Sequence, residues 1–126
     1  METIDLTEEN FATVIKDNDT VLVDFWATWC GPCQQFAPIF AASAEKNPDI
    51  VHAKLDTEIV PGISESIGIN AIPTLMAFRE GVPVFRQAGA LPAASLTEVI
   101  EQVRELDMDE VRRELAAKKP ETAQDG

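Results

Sequence analysis

An α/β fold with a mixed central β-sheet and helices on both faces, followed by a short C-terminal helical extension, is the class this 126-residue sequence predicts. Three observations predict it. Apolar runs of strand length alternate with helix-period segments as far as residue 68. The period then shortens to two strands flanking Glu80-Gly81, which marks a hairpin. A content of 45% hydrophobic and 25% charged residues, at this length, suits one buried core. The domain is expected over residues 1–104, with residues 105–126 as a charged extension, partly helical and then frayed.

Residues 3–6 are the first expected strand, and Thr7 is the expected N-cap of a helix that lines up Phe11, Val14 and Ile15 before the DND of residues 17–19 ends it. VLVDFWA, residues 21–27, is nearly all apolar, β-branched or aromatic, as a strand covered on both faces requires; only Asp24 interrupts it. From Pro32 a helix to about Lys46 follows from the spacing of Phe36, Ile39 and Phe40, and Pro38 inside it removes one backbone hydrogen bond and should kink it. IVHAKLD, residues 50–56, is the next strand, and a short helix over residues 59–67 closes near Gly68. TLMAFR (74–79) and VPVFRQA (82–88) are the hairpin arms. A helix from about Ser95 to near Arg104 then sets Leu96, Val99, Ile100 and Val103 on one stripe. Asp107 caps a further helix with Met108, Val111 and Leu115 on one face, expected to reach about Lys119, with residues 118–126 frayed.

With 22 acidic against 10 basic side chains the net charge is −12, which opposes binding to nucleic-acid phosphates or anionic membranes. Residues 104–126 hold five of the basic groups but only seven of the acidic ones, so the negative excess sits on the domain. No apolar run approaches the length of a membrane span, and METIDLTEEN has neither the basic nor the apolar segment of a secretory signal. A cytoplasmic monomer is expected.

Cys30 and Cys33, the two cysteines, stand in WCGPC, residues 29–33. As a staple they would close a loop of about four residues, worth only roughly 2 kcal/mol against about 4.7 for a 100-residue loop. As a closed zinc site they lack ligands, because four are needed and the chain adds one histidine, His52, in mid-strand. Only a cluster shared between two chains would escape that count, so no metal is expected. A redox couple uses every residue of the motif. Cys30 falls at the mouth of the helix that Pro32 opens, where unpaired N–H groups and the helix dipole favour a thiolate. Cys33, one turn inside, is placed to attack the mixed disulfide that Cys30 forms. Asp24, in a strand buried on both faces, must be paired or hold its proton to a raised pH. A satisfied structural carboxylate is the other reading of that residue.

VLVDFWATWCGPC at 21–33 resembles the active-site segment of the thioredoxins, and the resemblance continues through AKLD at 53–56, AIPTLMAF at 71–78, the EG turn at 80–81 and AGA at 88–90. It covers roughly residues 1–104. The resemblance implies the thioredoxin fold and a protein-disulfide reductase, with Cys30 as nucleophile and Cys33 as resolving cysteine. A disulfide oxidant or isomerase, or a non-catalytic binding module, are the alternatives on the same fold. Asp24 becomes the buried carboxylate beneath the dithiol, with Lys54 as its companion. Pro73 becomes a cis-proline lying against the disulfide, which leaves the backbone of Ile72 free for an extended substrate strand. Trp29, Gly31, Pro32, Ile72, Pro73 and Gly89 are then the expected substrate-binding residues, with Trp29 covering part of the pair and Trp26 packing beneath it. No bound cofactor is implied: the redox-active group is the Cys30–Cys33 disulfide, and electrons pass from a partner thioredoxin reductase to client proteins with disulfides. Gln34, Ala71 and Thr28 depart from the basic, glycine and acidic residues common at those places, which bears on partner choice.

Overall fold

In a computed structural model of the chain, the backbone of residues 2–125 and the side chains of residues 2–117 are described. The strands are β1 (Ile4–Asp5), β2 (Thr20–Trp26), β3 (Val51–Asp56), β4 (Thr74–Arg79) and β5 (Val82–Ala88). The helices are α1 (Phe11–Asp17), α2 (Gly31–Lys46), α3 (Pro61–Ile67), α4 (Ala93–Glu105) and α5 (Met108–Asp125). The strands form one sheet in the order β1-β3-β2-β4-β5. Both β1 and β2 run parallel to β3, whereas β4 is antiparallel to β2 and to β5, so the sheet is mixed as expected.

Alternation along β2 sorts its side chains onto two cores. Val21, Val23 and Phe25 join Leu55, Met76 and Phe78 beneath α1 and α3, which contribute Ile15, Phe11 and Ile63. On the other face Leu22, Leu75 and Ala77 meet Phe36 and Phe40 of α2 and Leu96, Ile100 and Val103 of α4. Helices therefore cover both faces. Phe25 and Phe40 are wholly buried, each worth about 2–3 kcal/mol in area removed from water.

The hairpin closes through Glu80 and Gly81, both at positive φ (53° and 83°), the pair of conformations that matches the twist of the flanking strands. The β4–β5 ladder slips between Ala77 and Phe78, beside Pro83, which has no N–H to give it.

Three helix starts differ from expectation by two residues or more. Thr7 and Asn10 cap each other, the Thr7 N–H donating to Asn10 Oδ1 at 2.7 Å and the Asn10 N–H to Thr7 Oγ1 at 3.1 Å. Helix α1 accordingly begins one turn later, at Phe11. Helix α3 begins at Pro61, whose fixed φ suits a first helical position, and ends at Gly68 with φ 82°. Helix α4 starts at Ala93, and α2 continues through Pro38 to Lys46.

The C-terminal extension requires the largest correction. Asp107 Oδ1 accepts the N–H groups of Asp109 and Glu110, and Met108 is buried, so the helix is anchored at its start. Strong helix formers from Glu114 through Lys118 continue it, and α5 runs to Asp125 where an end at about Lys119 was expected. Fraying was expected of residues 118–126; Gly126 and the side chains from Lys118 onward lie outside the described residues.

Candidate active site

Three loops meet at one end of the sheet, and the register dictates it. Phe25 near the end of β2 pairs with Thr74 at the start of β4, and Thr74 pairs with Ala88 at the end of β5. The segment after β2 carries Cys30, the one before β4 carries Pro73, and the one after β5 carries Gly89. The Gly89 N–H donates to the Pro73 carbonyl at 2.7 Å, and Thr74 Oγ1 donates to the Ala71 carbonyl at 2.5 Å. The Ile72–Pro73 peptide is cis.

Cys30 and Cys33 are joined as a disulfide, with their Cα atoms 5.2 Å apart. Cys30 is the N-cap of α2 in extended conformation, and its Sγ accepts the Cys33 N–H at 3.2 Å. One of the helix's orphan donors is thus spent on sulfur. The same Sγ lies 3.8 Å from the Ile72 carbonyl oxygen. Cys30 and Cys33 are only 4% and 2% exposed, and with Ala27 they form a small buried cluster against which Trp26 and Ile72 pack. Trp26 therefore lies against the pair, as expected. Trp29, expected to cover part of the pair at the surface, is 68% exposed in the turn between β2 and α2. Gln34 Nε2 donates to the Thr28 carbonyl at 3.0 Å, holding that turn against the helix.

Gly31 and Pro32 are exposed at the first turn of α2, and Ala71 and Gly89 are exposed in the adjoining loops. A Cβ on Gly31 or on Gly89 would meet nothing within 4 Å. Gly89 also has φ 103°, which a larger residue adopts at a cost. Ile72 is half-buried and Pro73 is wholly buried.

Asp24 is fully buried on the face of β2 that α2 covers, and neither carboxylate oxygen has a hydrogen-bond partner. Burial raises its pKa from 3.8 to about 7, against the opposing pull of the Lys54 ammonium. Asp24 and Lys54 are direct neighbours across β2 and β3. The Lys54 Nζ lies over the Trp26 ring, 4.7 Å from its centroid. This cation–ring contact was not anticipated; the two-residue alternation in β2 and β3, which puts Asp24, Trp26 and Lys54 on one face, is the signal that could have found it.

His52 is buried at 1% exposure, bonded to Ser43 Oγ (2.8 Å) and to the Ile50 carbonyl (3.0 Å) and packed against Phe40. It is a core residue. Among the described residues no group of three or more His, Cys, Asp or Glu side chains is placed to hold a metal ion, and no helix is long and apolar enough to cross a membrane.

Comparison with known proteins agrees with this geometry. The family model described as Thioredoxin matches residues 2–102. A Streptomyces coelicolor protein bearing the thioredoxin name is 57% identical over 114 residues, spanning 90% of this chain and 85% of its own. A bifunctional thioredoxin reductase/thioredoxin of Mycobacterium leprae is 43% identical over 75% of this chain and 21% of its own. Among solved structures, a mutant thioredoxin from Halobacterium salinarum superposes with a TM-score of 0.76 at 33% identity, over 83% of this chain and 92% of that one.

Proposed function

This chain belongs to the thioredoxin family and acts as a protein-disulfide reductase, and from that premise we propose how its residues divide the work. Reduced Cys30 attacks a client disulfide as a thiolate. A new S–S bond forms between Cys30 and one client sulfur while the other client sulfur leaves and takes up a proton. Cys33 then gives its proton to ionised Asp24 and attacks the Cys30 sulfur, forming the Cys30–Cys33 disulfide, while the second client sulfur leaves and takes up a proton to complete the client dithiol. The client gains two electrons and this chain loses them.

The observation that carries this reading is the Cys33 N–H held on Cys30 Sγ at the mouth of a 16-residue helix. In the reduced state the same donor and the helix dipole stabilise a thiolate there. Asp24, with a pKa of about 7, exchanges a proton readily at neutral pH, and Lys54 tunes it by favouring the ionised form. Trp29, Gly31, Pro32, Ile72, Pro73 and Gly89 receive the client, whose backbone approaches across the two glycines.

Electrons return from a separate thioredoxin reductase; the joining of both activities in one chain of the Mycobacterium leprae relative supports such a pairing. A reducing dithiol works where thiols are kept reduced, which favours the cytoplasm. Both cores close within a single chain, which favours a monomer. Residues 1–104 carry this activity, with residues 105–126 as an appendage. Reduction of insulin disulfides by the wild-type protein, lost in Cys30→Ser, tests the assignment. The equilibrium potential of the pair tests its direction: a value near about −270 mV marks a reductant, whereas about −180 to −120 mV would replace this reading with an oxidant or isomerase.

A further inference from the structure

Trp26 belongs to two environments. It packs on the cluster around Cys30 and Cys33, and it lines a cavity of about 460 Å³ whose other walls include Asp5, Leu6, Lys54, Asp56 and Ile59. This cavity opens at the ends of β1, β2 and β3, on the side of the dithiol away from β4 and β5. Leu6 is buried and Ile59 is 75% exposed, so the apolar wall runs from the interior out to solvent. Two carboxylates, Asp5 and Asp56, share the lining with one ammonium, that of Lys54, which is drawn over the Trp26 ring. The Trp26 indole N–H is buried without an acceptor. Asp56 Oδ1 also accepts the N–H of Glu58, which fixes that carboxylate at the turn after β3.

We propose that this cavity receives an arginine side chain of the protein whose sulfur engages Cys30, making it a second recognition pocket beside the dithiol. An arginine has the needed shape: an apolar stem to lie along Leu6 and Ile59, and a planar guanidinium that bridges two carboxylates. The net charge of −12 draws basic partner surfaces toward it. The pocket's partner is the one that the reductase reading supplies, but arginine binding itself is independent of turnover.

The test titrates the oxidised, ¹⁵N-labelled protein with N-acetylarginine methylamide and with its citrulline and glutamate counterparts, following the Trp26 indole N–H resonance. The arginine probe is expected to give a saturable shift at least about fivefold tighter than either counterpart. Asp5→Asn/Asp56→Asn should weaken it at least about fivefold, while Glu98→Gln/Glu101→Gln on the exposed face of α4 should not. In turnover, a disulfide peptide with a neighbouring arginine should be reduced about threefold faster than its citrulline twin, and the two should converge in the Asp5/Asp56 variant. No saturable shift at Trp26, equal binding of citrulline, preference for glutamate, or equal loss in both double variants would overturn the pocket. Failure to reduce insulin would overturn the reductase reading alone, because the titration uses the oxidised protein.

Discussion

Asp24 and Lys54 lie opposite each other across β2 and β3, yet the Asp24 carboxylate has no hydrogen-bond partner. The strands bring the two side chains to one face, and Lys54 is drawn over Trp26 instead. What remains for Asp24 is burial, opposed only in part by the charge of Lys54 at a distance.

That arrangement has a pH signature. The Asp24 pKa rises on folding from 3.8 to about 7, so between those values the folded state holds a proton that the unfolded state has lost. Stability therefore falls as pH rises through this window and stays lower above it. Asp24→Asn should stabilise the oxidised protein by roughly 4 kcal/mol at pH 8 and hardly at all at pH 4. Urea denaturation at both pH values checks this, and an equal gain at the two would refute it.

The division between the sulfurs predicts a trap. Cys33→Ser should accumulate a covalent mixed disulfide between Cys30 and a client, visible on non-reducing gels, because nothing remains to resolve it. Cys30→Ser should trap none, since Cys33 lies within the first turn of α2 while Cys30 stands at the helix mouth.

Gly31 and Gly89 separate backbone strain from client contact. Gly89→Ala must hold a Cβ at φ 103° and should cost about 1–2 kcal/mol of stability, although nothing lies within 4 Å to clash. Gly31→Ala has no such constraint and should leave stability within about 0.5 kcal/mol while slowing reduction of protein clients. Thermal melts alongside insulin reduction distinguish the two; unchanged client reduction in Gly31→Ala would remove Gly31 from the contact surface.

His52 supplies a structural prediction. The Ile50 carbonyl can only accept, so Nδ1 carries the proton and Nε2 accepts from the Ser43 hydroxyl. Burial holds the His52 pKa below its usual 6.5, so this contribution is complete above that value and is lost as pH falls. Ser43→Ala should cost about 1–2 kcal/mol by leaving Nε2 unpaired. Imidazole ¹⁵N shifts showing the Nε2–H tautomer at pH 7.5 would contradict the assignment.

Where a feature depends on local pattern, the amino acids announced it. The apolar run around Asp24, the stripe from Leu96 to Val103 and the Glu80-Gly81 turn all fold as their periods require. Partnership across the sheet was less visible. Trp26 and Lys54 are 28 positions apart and meet only because β2 and β3 align in one register, and the cavity beside them depends on β1 as well. Thr7 was legible as a cap, but its partner Asn10 was not, because the reciprocal bond uses a side chain more often read as a helix breaker. The cis bond before Pro73 came from family likeness alone, since nothing in the Ile72–Pro73 dipeptide overrides the ordinary preference for trans.

Each rim of the sheet is poorly suited to recruiting another chain. At one end β1 is two residues long, too short to template a neighbour. At the other, the ladder slips beside Pro83 and disturbs the regularity of β5, and Arg86 is tied back to the carbonyls of Ile67 and Gly68. A protein-disulfide reductase, which must meet other chains to act, is thereby protected from polymerising with them, or with itself, by edge-to-edge strand addition.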